Sequence, residues 1–259
     1  MVNDKKVVAI IQARMGSTRL PGKVLKSICG KPMLLHICKR LSNVSDINQI
    51  VIATSNLKID DPIYEMSKMY DIGCFRGSES DVLNRFFLAA KNNYADHIIR
   101  ITGDCPLVDH LIIEKLIKFY FEGLYDFCGI ACGAGVHNQK NINRFPDGFD
   151  AEIFSYDVLS QANKEAKKKL QREHVTPFIW KNKERYKINT LYSENDYSDY
   201  RFTVDNQEDF EYINWIYESL FHLNPNFHLN DIIEMINSNF KKAKNNKYIG
   251  KEGYDEFWK

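Results

Sequence analysis

Short apolar runs rich in β-branched residues alternate along the first half of the chain with stretches whose apolar positions recur every three to four residues. Val7-Val8-Ala9-Ile10-Ile11 is such a run and predicts a buried strand over residues 5–12. A helix opened by Pro32 follows to about Leu41, then a strand over 49–54. A helix over 60–70 carries Pro62 at an early position, where its missing N–H costs little. A short strand over 72–75, a helix over 80–93 with Ser78 or Ser80 as candidate cap, a strand over 97–102 and a helix over 109–122 complete the pattern. This alternation predicts an α/β fold built on a single doubly wound, mostly parallel sheet.

The second half is less regular. Strands are expected over 125–130, 150–154, 186–192 and 200–204, and helices over 155–165, 170–183, 209–220 and 229–238. Residues 132–143 read as a loop containing Gly and Asn, long enough to be functional. From Lys241 on, the chain is Lys- and Asn-rich with scattered aromatics, a tail or an arm packed on another subunit. No internal repeat or separating linker is visible, so residues 1–240 are taken as one domain and 241–259 as a tail or arm.

The loop after the first strand carries the most chemistry. Gln12-Ala13-Arg14-Met15-Gly16-Ser17-Thr18-Arg19-Leu20-Pro21-Gly22-Lys23 holds two arginines, a lysine, two glycines and two hydroxyls at the carboxyl end of a strand. Ligands of open α/β sheets bind there. Backbone N–H groups with Arg and Lys suit phosphate oxygens, so the loop reads either as a polyphosphate seat or as a basic surface turn. It is neither a Walker A motif nor G-x-G-x-x-G. A solvent-facing loop of this kind holds little core, so replacing Arg14 or Lys23 is expected to leave folding nearly unaffected.

Bulk properties narrow the classes. A chain of 259 residues, 44% hydrophobic and 13% aromatic, supports one large core. A net charge of +1 excludes a protein that coats a polyanion, and no nucleic-acid partner is expected. No apolar stretch approaches the ~18 residues that span a bilayer, and the N-terminus runs directly into a strand, so a cytoplasmic protein without membrane contact is expected. Six cysteines (Cys29, Cys38, Cys74, Cys105, Cys128, Cys132) form no C-x-x-C and read as reduced, mostly buried hydrophobes. Cys128, Cys132 and His137 match no standard zinc spacing and lack a fourth ligand.

Two carboxylates stand at expected strand ends. Asp104 follows Thr102-Gly103 and Asp205 follows Thr203-Val204. Such a pair can hold Mg²⁺ against a triphosphate, since Mg²⁺ takes one or two carboxylates plus phosphate oxygens. Each is also followed closely by a helix, so N-capping is the alternative for both.

The order Gln-Ala-Arg-x-Gly-Ser-Thr-Arg-Leu-Pro-Gly-Lys resembles the signature loop of the cytidylyltransferases that activate acidic sugars. It is closest to the spore-coat-polysaccharide type, related to the Kdo and acylneuraminate cytidylyltransferases. The resemblance continues through Lys31-Pro32-Met33-Leu34, Val51-Ile52-Ala53-Thr54, residues 76–83 (Arg-Gly-Ser-Glu-Ser-Asp-Val-Leu), residues 100–107 (Arg-Ile-Thr-Gly-Asp-Cys-Pro-Leu), residues 145–150 (Phe-Pro-Asp-Gly-Phe-Asp) and Thr203-Val204-Asp205. It spans roughly residues 5–222.

The resemblance implies a Rossmann-like nucleotide-diphospho-sugar transferase fold and transfer of CMP from CTP, with release of pyrophosphate, in surface polysaccharide or glycan synthesis. It implies that Arg14 and Lys23 contact the phosphates, with Ala13, Gly16 and Ser17 of the same loop around the nucleotide. Arg19 joins them or pairs with an acidic neighbour. Asp104 and Asp205 match the family's magnesium ligands. Thr102 is placed with the nucleotide, and Ala53 and Thr54 are expected to offer backbone groups to the base. Ser80 and Asp81 match a segment near the nucleoside, with N-capping as the alternative. Asp147, Asp150, Glu152, Arg172 and His174 match the acceptor-facing side, where an ordinary charged surface helix is the alternative for Arg172 and His174. The expected acceptor is an acidic sugar or a sugar or polyol phosphate, and a homodimer is allowed. The rival classes are a glycosyltransferase, which would carry a metal-binding D-x-D at a strand end, and a non-catalytic nucleotide-binding module.

Overall fold

The structure, a computed structural model, describes residues 5–132 and 143–239. In chain order the elements are β1 (Val7–Gln12), β2 (Ser27–Ile28), β3 (Lys31–Pro32), α1 (Met33–Leu41), β4 (Gln49–Ser55), α2 (Asp61–Met69), β5 (Gly73–Gly77), α3 (Val82–Asn92), β6 (His97–Thr102) and α4 (His110–Glu122). They continue with β7 (Phe127–Ile130), β8 (Glu152–Ser155), α5 (Tyr156–Glu165), α6 (Lys169–His174), α7 (Pro177–Lys181), β9 (Ile188–Leu191), α8 (Gln207–Leu220) and α9 (Leu229–Ser238).

Among the described residues the main sheet has seven strands in the order β5-β4-β1-β6-β8-β7-β9. β5, β4, β1 and β6 are parallel, β8 runs antiparallel to both its neighbours, and β9 is parallel to β7. The sheet is therefore mostly parallel, as the alternation predicts. Its central strand β1 buries Val7 through Ile11 completely, which is why that segment is a continuous apolar run rather than an alternating one. The twofold period of the strand sends neighbours to opposite faces. Val7, Ala9 and Ile11 join Ile99, Leu34 and Ile213 in the core under α1, α4, α8 and α9, while Val8 and Ile10 join Ile98, Phe86 and Ile179 under α3, α5 and α7. Each such Leu, Ile or Phe contributes about 1.5–3 kcal/mol by leaving water.

Three segments differ from expectation. The single helix expected over 170–183 is two, α6 and α7, broken at Val175, whose φ of +70° closes a tight turn in which the Thr176 N–H donates to the His174 carbonyl at 2.8 Å. Pro177 is the cause visible in the sequence: it has no N–H to donate to the Glu173 carbonyl and its ring would clash there in a continuous helix, whereas at the start of α7 it fits. The strand expected over 200–204 is an irregular segment with one isolated bridge, Asp147 to Arg201. The β2–β3 hairpin, unexpected, turns on Cys29 and Gly30, both at positive φ.

The loop expected over 132–143 lies, apart from its two end residues, outside the described residues, as do His137 and the segment 241–259. The cysteines are all free thiols. No helix among the described residues is long and apolar enough to cross a membrane.

Candidate active site

The loop after β1 is fixed by a few specific bonds. The Ala13 N–H donates to the Ala53 carbonyl at 3.2 Å, and the Met15 N–H donates to Asp60 Oδ1 at 2.7 Å. The other oxygen of Asp60 accepts the Ser55 N–H at 3.3 Å and the Ser55 hydroxyl. Asp60, almost fully buried, thus ties the loop to the end of β4. Sequence reasoning missed it, because Asp60 stands at the start of the helix expected over 60–70 and nothing in that pattern marks a tie to β4. The Met15 carbonyl accepts N–H groups from Ser17 (2.9 Å) and Gly22 (3.0 Å), and Gly22 sits at φ +69°. Ser17 Oγ accepts the Leu20 N–H at 3.3 Å.

What the loop leaves open is as informative. The backbone N–H groups of Arg14, Gly16, Thr18 and Arg19 have no partner among the described residues. Gly16 is exposed, and a methyl group added there would touch nothing. The Arg14 side chain is exposed, with no ion pair among the described residues. Open N–H groups beside a free guanidinium make an anion seat.

Lys23 behaves differently. It is buried, and its ammonium donates to the Val204 carbonyl at 2.6 Å, to Asp104 Oδ2 at 3.2 Å and to Asp205 Oδ1 at 3.2 Å. The premise behind the expectation that replacing Lys23 leaves folding nearly unaffected does not hold: the loop faces solvent at Arg14 but not at Lys23. Burial alone would lower the Lys23 pKa, but the Asp104 and Asp205 charges overcome it and hold the ammonium above its ordinary value. Burial would likewise raise Asp104, and the Lys23 charge with hydrogen bonds from Thr102 and Lys23 pulls it below.

The two aspartates reach this point from different strands and segments. Gly103 continues β6 by donating its N–H to the Gln12 carbonyl at 2.9 Å, and a methyl group there would meet that same oxygen. The Val204 N–H donates to the Asp104 carbonyl at 2.9 Å, which locks the two carboxylate-bearing segments together. Neither aspartate caps a helix: Asp109 caps α4 and Asn206 caps α8. Asp205 is shared further, with Arg19 at 2.9 Å on Oδ1 and Arg201 at 2.7 Å on Oδ2. Arg201, itself buried, also donates to Asp209 at 2.6 Å and lies 3.3 Å from Asp147. It is the second functional residue that sequence reasoning missed, hidden in an expected strand. Thr102 Oγ1 lies 3.1 Å from the Cys105 thiol.

Two carboxylates converging on one cation are a donor set of the kind that Mg²⁺ takes with phosphate oxygens completing its shell. Among the described residues no group of three or more His, Cys, Asp or Glu side chains forms a metal centre by itself.

The remaining expected site residues divide. Ala53 and Thr54 are fully buried in β4 between β1 and β5; the Ala53 carbonyl is taken by Ala13, and Thr54 lies in register with Arg76. Their backbone groups are thus used within the sheet rather than offered to a base. Asp81 caps α3 through the Asn84 N–H at 3.0 Å, so the capping alternative holds there. Arg172 grips both oxygens of that same Asp81, at 2.9 and 2.6 Å, and so faces α3 rather than an open acceptor side. Ser80 is exposed next to them.

Glu152 receives Arg100 at 2.7 Å and the Thr176 hydroxyl at 2.9 Å, and Arg100 reaches Gln12 at 3.2 Å. His174 lies beside this group; burial first, then the Arg100 charge, lowers its pKa. Asp147 accepts the Thr203 hydroxyl at 2.8 Å, and Asp150 accepts the Gly148 N–H at 3.0 Å. Burial raises the pKa of both, that of Asp150 to about 7, with the Asp147 charge adding to it.

The doubly wound sheet, with its open loop at the carboxyl edge, has the Rossmann-like fold of the nucleotidyltransferases. In fold it matches CMP:2-keto-3-deoxy-manno-octonic acid synthetase complexed with CTP, at a TM-score of 0.60 and 19% identity over 83% of this chain and 99% of that one. The chain belongs to the cytidylyltransferase family, whose model matches residues 8–240. It is 31% identical to the spore coat polysaccharide biosynthesis protein SpsF of Bacillus subtilis (strain 168), over 92% of this chain and 96% of that protein. A cytidylyltransferase structure from Leptospira borgpetersenii serovar Hardjo-bovis (strain JB197) superposes at a TM-score of 0.82 with 33% identity, over 93% of this chain and 98% of that one.

Proposed function

We propose that this protein transfers CMP from CTP, with Mg²⁺, to an acidic sugar or to a sugar or polyol phosphate in surface polysaccharide or glycan synthesis. The observation that carries the reading is the convergence of Asp104 and Asp205 on Lys23, directly beside a loop with open N–H groups and a free Arg14. The family match and the polysaccharide role in the name of the Bacillus subtilis relative support it.

An oxygen of the acceptor attacks the α-phosphorus of CTP, and the bond to the leaving pyrophosphate breaks. The protein's task is alignment and charge neutralisation. The loop N–H groups and Arg14 hold the phosphate tail and stabilise the charge that grows on pyrophosphate. Asp104 and Asp205 would hold Mg²⁺, which supplies Lewis-acid polarisation of the phosphate when bound. Arg201 keeps Asp205 oriented. A phosphorylated acceptor is already ionised and needs no general base; for a hydroxyl acceptor, Asp150 and Asp147, whose pKa values are raised, are the nearby groups able to take a proton.

A pyrophosphate-release screen crossing four nucleoside triphosphates with a panel of acidic sugars and sugar or polyol phosphates tests the reading. Release is expected with CTP and one acceptor class, dependent on Mg²⁺. Equal turnover of all four nucleotides overturns the cytidylyl assignment, and release with none overturns the reaction.

A further inference from the structure

Lys23 is not placed as a phosphate ligand should be. Its ammonium makes three hydrogen bonds and all go to the protein: two to the carboxylates at Asp104 and Asp205 and one to the Val204 carbonyl. The side chain is 11% exposed, so these are not the bonds of a wandering surface lysine. The rest of the loop is open to an anion while all three Lys23 bonds go to the protein's own oxygens, and Arg19 adds a second positive group on Asp205. A Mg²⁺ ion about 2.1 Å from either oxygen would lie within about 5 Å of an ammonium that stands 3.2 Å from the same oxygen. A doubly charged and a singly charged cation at that separation repel strongly in a partly buried site.

We propose that the Lys23 ammonium and the divalent cation compete for the same two carboxylate oxygens, so that Lys23 acts as a tethered cation which excludes the metal until a triphosphate arrives. The inference rests on the proposed metal role of Asp104 and Asp205. The nucleotide's phosphates supply the negative charge that lets Lys23 leave the aspartates and turn to the loop side, and the metal enters in its place. Lys23 thereby serves twice, and metal and nucleotide bind as a pair rather than independently. An enzyme arranged in this way does not tie up free divalent cation, and its phosphate-binding lysine is pre-positioned within one side-chain swing of its target. Arg14 has no such role, since nothing among the described residues holds it.

The test uses no nucleotide and no acceptor, so its failure is separate from failure of the cytidylyltransferase reading. Mn²⁺ is titrated into the full chain and free Mn²⁺ is followed by electron paramagnetic resonance. Lys23→Met and Lys23→Gln are expected to bind Mn²⁺ at least tenfold more tightly than the parent, and millimolar Mn²⁺ should raise their melting temperatures more than the parent's. Adding Asp205→Asn to Lys23→Met should remove the gain, which locates it at these carboxylates.

Melting curves check that each variant is folded, and either variant alone carries the test. A parent-only measurement backs it: the side-chain ammonium signal of Lys23 in ¹⁵N-lysine protein should hold its position with Mg²⁺ alone and move with CTP and Mg²⁺ together. Mn²⁺ affinities in the folded variants equal to or below the parent's, or a Lys23 signal displaced by Mg²⁺ alone to the same place, overturn the proposal.

Discussion

Arg14 and Lys23 come from one loop and carry the same charge, yet burial separates their roles. Arg14 is exposed and unpaired among the described residues, so Arg14→Ala should leave stability within about 0.5 kcal/mol. It should lower kcat/KM for pyrophosphate release by the equivalent of about 2–4 kcal/mol, the usual effect of removing one electrostatic stabiliser. Lys23→Ala should damage both properties. It takes from Asp104 its ion-pair partner, while Asp205 keeps Arg19 and Arg201, and a partly buried charge left unpaired costs on the order of 1–3 kcal/mol. Urea denaturation of the two variants separates the cases, and a Lys23→Ala protein as stable as the parent would show that the bridge carries no structural load. The aspartates follow the same logic. Since Asp109 and Asn206 do the capping, Asp104→Asn and Asp205→Asn leave both helix starts intact. Activity should still fall about a hundredfold or more, roughly 2.7 kcal/mol in the barrier, with partial recovery at high Mg²⁺ or Mn²⁺. Parental rates with parental metal dependence would exclude both from the metal site.

At the scale of elements, the parts of the fold that the sequence makes legible are those with an unambiguous period. β1 is one apolar run, and α4 carries Ile112, Ile113, Leu116 and Ile117 on one buried face. The segment 200–204 misleads because Phe202 and Val204 are buried at strand spacing while the chain there makes only one bridge. Burial alternation reports which side faces the core and says nothing of a hydrogen-bonded neighbour. The same limit hid Arg201, whose three acidic partners come from Asp147, Asp205 and Asp209 and meet only after folding. The fold gathers the signature positions Asp104, Asp205 and Lys23 at one point and pairs Asp81 and Arg172 with each other. Gly148 shows what holds the irregular segment in place. It sits at φ +97°, and a Cβ there would come within 2.6 Å of the Phe202 carbonyl carbon. Gly148→Ala is therefore expected to cost on the order of 2–4 kcal/mol and to shift Asp147 and Arg201 together. Activity should fall even at temperatures where the variant is folded, and an unchanged melting temperature would show that the 147–150 turn adapts freely.

For the whole molecule, a net charge of +1 conceals a local crowding of carboxylates: Asp150 feels the charges of Asp147, Asp104 and Glu152, and Asp147 those of Asp104 and Asp205. Stability should report this through pH. His36 is buried, His97 and His174 are half-buried, and desolvation lowers the pKa of each below 6.5. The unfolded chain then binds more protons below that pH, so their contribution is fully present above about 6.5 and is lost as pH falls toward the folded values. Asp150 works in the opposite sense. Burial and the Asp147 charge raise it from 3.8 to about 7, so between those values the folded protein holds the extra proton. Stability from Asp150 falls as pH rises through that window, and the full penalty is in place above about 7. The two effects oppose one another on the acid side. Above pH 6.5 the unfolded histidines are still giving up their last protons, so the parent's own curve mixes the two effects. Those histidines are common to the parent and to Asp150→Asn, which still offers an oxygen to the Gly148 N–H and carries no charge, so they cancel in the difference between the two proteins. The variant should therefore gain stability relative to the parent as pH rises from about 5 to about 8. Urea midpoints of both proteins at the two ends of that window measure the difference. Midpoints that run in parallel would mean that Asp150 is already ionised in the folded protein at the acid end and is no candidate to take a proton from the acceptor.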